Sequence, residues 1–127
     1  KRLLDERGLA CTDFGTDTTD SVDYPDVAAR VAHAVADGTC DRGILVCGSG
    51  VGMAIAANKV AGIRAAPIVD ETSARLSREH NDANVLALGA RLTPSGDARR
   101  FVNIFLDTPF AGGRHQGRID KITKMEQ

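Results

Sequence analysis

Apolar and polar positions divide the chain into short segments of two alternating periods. Short apolar-rich runs closed by glycine or polar clusters read as strands at Leu9 to Phe14, Ile44 to Val46, Arg64 to Val69 and Asn84 to Leu88, the last ended by Gly89. Between them the spacing lengthens to that of helices. Lys1 to Arg7 reads as the tail of a helix capped by Gly8, and a second helix starts at Asp23-Tyr24-Pro25-Asp26, carries Val27, Val31 and Val35 on one face and ends at Gly38. Small residues from Met53 to Lys59 predict a third helix. Asp70 is placed to cap a fourth over Glu71 to His80 with its charges outward, and Pro94 to Leu106 turns Phe101, Val102 and Phe105 to one side. Arg118 to Met125 reads as the last helix, and the polar run Thr16 to Asp20 as a surface loop. Strand and helix alternate with short connections, which predicts an α/β fold: a three-layer, Rossmann-like open parallel sheet with helices on both faces.

Length and charge narrow the field. The 127 residues fit a single domain, 1–127, with no internal repeat, low-complexity stretch or linker. Sixteen Lys and Arg stand against 17 Asp and Glu, so no global charge points to nucleic acid or to an anionic membrane. Trp is absent and aromatics are few, which argues against base-stacking platforms. No apolar run is long enough to span a bilayer. Cys11, Cys40 and Cys47 are an odd set without metal-type pairing, as expected of reduced thiols in a cytoplasm.

The candidate chemistry lies where Ile44-Leu45-Val46 ends in Cys47 and is followed by Gly48-Ser49-Gly50-Val51-Gly52. A strand that turns through alternating glycines into a helix exposes backbone N–H groups at the helix's positive end, a geometry that receives anions. An open parallel sheet also binds ligands beyond the carboxyl ends of its strands. A lone cysteine at such an end is ordinarily a small core hydrophobe, but a thiol at a helix N-terminus is a usable base or nucleophile. The loop is not a Walker motif, since Gly-Lys-Ser/Thr is absent, and it misses the dinucleotide fingerprint because its third glycine comes one position early. His80 ends a helix, where a histidine usually caps or is solvated. Arg114 and Arg118, four apart with His115 beside them, either face one anion or form a solvated basic tail.

These residues together resemble a known family. Asp23-Tyr24-Pro25-Asp26, the block Ile44 to Met53 with Ala56-Ala57-Asn58-Lys59, the run Ser73-Ala74-Arg75 to Arg78-Glu79-His80-Asn81, then Asn84 to Arg91 and Gly112-Gly113-Arg114-His115 are similar, in order and along nearly the whole chain, to the type B ribose-5-phosphate isomerases and the related galactose-6-phosphate isomerase subunits. The resemblance implies interconversion of aldose and ketose phosphates through a cis-enediolate, with no metal and no cofactor. It implies that Cys47 is the base between C1 and C2, that His80 opens the sugar ring, and that N–H groups of Gly48, Ser49, Gly50, Val51 and Gly52 form the anion hole. Tyr24, Asn81 and Arg91 then contact the sugar, and Arg114, His115 and Arg118 hold the phosphate across a homodimer interface, with a tetramer as the larger alternative. Ser49 stands where the family more often has Thr. Family members also begin with a strand ending in an Asp-His pair, whereas this chain opens in the helix after it, and it is expected to be N-terminally incomplete. Ribose 5-phosphate, six-carbon aldose phosphates and tetrulose phosphates all suit this chemistry. The contrasting expectation is a non-catalytic phosphate-binding module on the same loop, which has no need of Cys47 and His80.

Overall fold

The computed structural model describes residues 1–15 and 23–126. In chain order the elements are α1 (Arg2–Glu6), α2 (Tyr24–Ala36), β1 (Gly43–Cys47), α3 (Val51–Ala57), β2 (Ala65–Pro67), α4 (Glu71–Glu79), β3 (Val85–Gly89), α5 (Ser95–Asp107) and α6 (Arg114–Lys124). The three strands form one parallel sheet in the order β1-β3-β2. Val85 lies opposite both Gly43 and Ala65, and Gly89 lies opposite Cys47, so all three strands run the same way and share their carboxyl end.

Side-chain alternation along the central strand explains the three layers. Val85 and Ala87 point into a cluster with Leu45, Met53, Ala54, Ala57, Ala28 and Ala32, which seats α2 and α3 on one face. Leu86 and Leu88 point the other way, to Ile68, Ala74, Phe101, Val102 and Phe105, which seats α4 and α5. All five β3 residues are buried, as a central parallel strand requires. The apolar stripe of α2 is rotated slightly from the expected one. Ala28, Ala32, Ala34 and Val35 are its buried positions while Val27 and Val31 pack at the margin, because alanines let α2 approach the equally small α3.

Three further expectations are corrected. Leu9 to Phe14 belongs to no sheet: the run is almost wholly exposed, and Leu9 N–H closes back on the Leu4 carbonyl at 3.0 Å. A strand exists only through a ladder partner, and among the described residues none lies beside this segment. The last helix starts at Arg114, not Arg118, because Gly112 and Gly113 take positive φ values of 68° and 57° and complete the turn before it. Arg78 does not face outward with the other charges of α4; it is 3% exposed. Asp70 caps α4 as expected, its carboxylate accepting from Ser73 N–H at 2.6 Å, a bond that holds its pKa below the usual aspartate value. The loop expected at Thr16 to Asp20 lies outside the described residues.

The outer edge of the sheet is closed on the β2 side. Ala65 turns its backbone away from β3, and Asn58 takes both groups, accepting from Ala65 N–H at 2.7 Å and donating to its carbonyl at 2.9 Å. Pro67, the next outward-facing residue, has no N–H to offer.

Candidate active site

At the carboxyl end of β1 the glycine loop is forced by contact as well as by conformation. Gly50 has φ +82°, and a Cβ there would stand 3.0 Å from the Leu88 carbonyl carbon. A Cβ on Gly89 would stand 2.7 Å from the Ser49 carbonyl, so loop and strand end meet backbone to backbone. The connection after β3 folds over the same spot, with Ala90 N–H donating to the Cys47 carbonyl at 2.7 Å and Arg91 N–H to that of Gly48 at 3.0 Å.

The half-buried Cys47 thiol is held inside this loop. Its Sγ accepts from Gly50 N–H at 3.1 Å, and the hydroxyl of Ser49 accepts from Val51 N–H at 3.2 Å. Two of the five backbone donors read from the sequence therefore already have acceptors, with which an incoming oxygen competes. The Arg91 side chain lies over the loop, its Nε 3.5 Å from where a Gly48 Cβ would stand. Tyr24, at the start of α2, rests its ring on Gly52: a Cβ at that glycine would fall 2.6 Å from the ring, so only glycine seats the tyrosine. Cys47, the loop, Tyr24 and Arg91 thus form one cluster.

The remaining candidates form a second cluster at the opposite end of the sheet. His80 is the C-terminal cap of α4, five residues before β3 begins, so it sits at the amino ends of the strands. Four strand steps of about 3.3 Å place this end ~13 Å or more from Cys47. There the His80 and His115 rings stack, with centroids 4.2 Å apart and planes inclined by 16°. Arg114 and Arg118 stand close enough to His115 to depress its pKa, although desolvation is the larger cause and His80 the second; Glu79 acts in the opposite direction. Asn81 follows His80 on the same turn. The Glu79 carbonyl accepts from Ala111 N–H at 3.0 Å, which ties the segment before α6 to the end of α4.

A cavity of about 720 Å³ forms an open groove beside this second cluster, lined among others by Asn58, Arg64, Ala65, Asn81, Ile122 and Met125. It does not reach Cys47. Among the described residues no group of three or more His, Cys, Asp or Glu is placed to hold a metal ion, and no helix is long and apolar enough to cross a membrane.

Sequence reasoning missed Arg64 and Arg78. Their guanidinium groups hold the turn that carries His80 and Asn81; the only signal was the spacing of Arg78 and Asp82, i and i+4 across a helix end.

A parallel α/β sheet with a thiol and a glycine turn at the carboxyl end of one strand defines a three-layer domain of the class that binds ligands at that end of its strands. The chain belongs to the Ribose/Galactose Isomerase family, whose model it matches over residues 1–122. It is 51% identical over 124 residues to the ribose-5-phosphate isomerase B of Escherichia coli, covering 98% of this chain and 83% of that one. The D-erythrulose-4-phosphate isomerase of Pectobacterium atrosepticum is 47% identical over 120 residues, covering 94% and 79%. The solved structure of ribose-5-phosphate isomerase B from Clostridium thermocellum superposes with a TM-score of 0.97 at 52% identity, covering 98% of this chain and 84% of that one.

Proposed function

We propose that this single-domain chain is an aldose–ketose isomerase of phosphorylated sugars that interconverts ribose 5-phosphate and ribulose 5-phosphate in the cytoplasm, without metal or cofactor. The observation that carries the reading is the Cys47 sulfur at a strand end, accepting Gly50 N–H within a loop of further backbone donors, in a chain of this family. The Cys47 thiolate takes the proton from C2 of the open aldose, and the C–H electron pair becomes the C1–C2 double bond of a cis-enediolate. Charge then gathers on O1, the hydroxyl proton of O2 passes to O1, and Cys47 returns its proton to C1 to give the ketose. Donors from Gly48 to Gly52 aimed at that oxygen act mainly in the transition state, on the order of 3 to 4 kcal/mol for one donor.

His80 opens the sugar ring, Tyr24, Asn81 and Arg91 hold the sugar, and Arg114, His115 and Arg118 hold the phosphate. The separation of the two clusters supports a shared site: the Cys47 cluster of one protomer is completed by the His80 cluster of a second copy, and a two-fold dimer does this twice. A four-carbon ketose phosphate is the second substrate reading, favoured by the relative that isomerises erythrulose 4-phosphate.

The test is turnover of ribose 5-phosphate and of erythrulose 4-phosphate by the full-length native protein, with chelator present, beside its Cys47→Ala variant. The variant should bind phosphosugar nearly normally and lose turnover by about 10²- to 10⁴-fold, the worth of a positioned base. Binding without turnover in the native protein would leave a phosphate-binding module instead.

A further inference from the structure

Asp82 is the one non-glycine among the described residues with positive φ, at 45°. It lies two residues after His80, and such a conformation persists only where its surroundings over-determine it. Two arginines from different elements do so. Arg64, just before β2, donates through Nε to the carbonyls of Asn81 at 3.0 Å and Asp82 at 3.2 Å, and through a terminal nitrogen to Asp82 again at 3.0 Å. Arg78, almost wholly buried in α4, donates to the Asp82 carboxylate and to the Ala83 carbonyl, each at 2.7 Å, from one terminal nitrogen. Its Nε reaches the Thr108 carbonyl at 3.1 Å, beyond the end of α5. The segment so gripped leads into α6 and His115. One guanidinium therefore spans the two chain segments that bring His80 and His115 face to face.

We propose that Arg64 and Arg78 are positioning residues that clamp the His80–Asp82 turn and thereby fix the His80 ring against His115 and in line with the substrate. The assignment rests on the isomerase reading for its catalytic consequence, while the clamp itself is a statement about geometry. Nearly all the donations go to backbone carbonyls, so they set where the turn lies more than what charge it carries. A planar fork that holds several carbonyls at once has no equivalent in lysine.

The test uses two variants of the full-length protein, Arg64→Lys and Arg78→Lys, with Arg75→Gln as a control on the exposed face of α4. Arg64→Lys removes the fork that holds the Asn81 and Asp82 carbonyls at a part-exposed position, so it remains foldable if the buried Arg78→Lys does not. Two readouts are taken beside the melting temperature: the nuclear Overhauser contact between the His80 and His115 rings, and kcat and KM for ribose 5-phosphate. The expected result is loss of the ring contact and a fall in kcat of about tenfold or more, since a misplacement near 1 Å can cost up to ~10²-fold. KM changes less, the melting temperature shifts too little to unfold the protein under assay, and the control is unchanged. An intact ring contact would overturn the clamp, whatever happens to kcat, and loss of the contact with kcat intact would overturn its catalytic role. If the native protein turns over no sugar phosphate, the isomerase reading falls, and the ring contact alone decides whether Arg64 and Arg78 hold the turn.

Discussion

His115 has a titration that reports on its neighbours. Desolvation, the stacked His80 and the cations of Arg114 and Arg118 all favour its neutral form and hold its pKa below the ordinary histidine value of about 6.5. Below that value the unfolded chain binds the proton more readily than the native one, so the His115 contribution to stability falls as pH drops through it. A bound dianion reverses the local field. Sulfate, which has no titrating proton near neutrality, should therefore be bound with net proton uptake at about pH 6, read as a dependence of binding heat on the ionisation enthalpy of the buffer. His115→Asn should remove that dependence; uptake that survives the substitution would assign the proton to another group. The sequence showed two arginines and a histidine at helical spacing and left open whether they face one anion. What it could not show was the partner ring, because His80 and His115 lie far apart in the chain and meet only through the Arg78 and Ala111 contacts.

The elements were legible wherever a periodic pattern met a local stop signal. The continuous apolar run Val85 to Leu88 closed by Gly89, and Asp70 as a cap ahead of Glu71, both specify their elements from short stretches. Leu9 to Phe14 failed because being a strand is a relation to a neighbour, and no local pattern encodes one. The burial of Arg78 was hidden for a similar reason, since its acceptors come from the turn after α4 and from residue 108. The edge of β2 offers a test at this scale. Asn58 occupies both outward backbone groups of Ala65 and Pro67 blocks the next donor, which leaves no template for an added strand. Asn58→Ala reopens the Ala65 pair, and Asn58→Ala with Pro67→Val reopens the whole edge. Self-association, followed by light scattering during mild heating, should rise from the native protein through the single to the double variant. Equal scattering in all three would mean that the edge is protected by something else.

The proposed division of labour between the two ends of the sheet belongs to the scale of the whole molecule, and it makes a quantitative demand. Cys47, the glycine loop, Tyr24 and Arg91 stand at the carboxyl end; His80, Asn81, His115 and the arginines of α6 stand at the amino end. No motion short of unfolding brings the ends of a packed sheet together, so on the proposed assignment one chain alone holds two half-sites and no complete one. In a two-fold dimer with shared sites, Cys47→Ala chains lack every base and Arg118→Ala chains weaken every phosphate site, so each variant alone is poorly active. A mixed dimer differs: one of its two sites takes Cys47 from the second variant and Arg118 from the first, and is fully native. With equal amounts and free exchange, half of the dimers are mixed and half of their sites are intact, so recovery should approach about a quarter of native activity. Recovery should appear at the rate at which subunits exchange, not at the moment of mixing. Sites built within one chain would stay damaged in both subunits of every dimer, and no recovery at any exchange time would assign the two ends of the sheet to separate tasks.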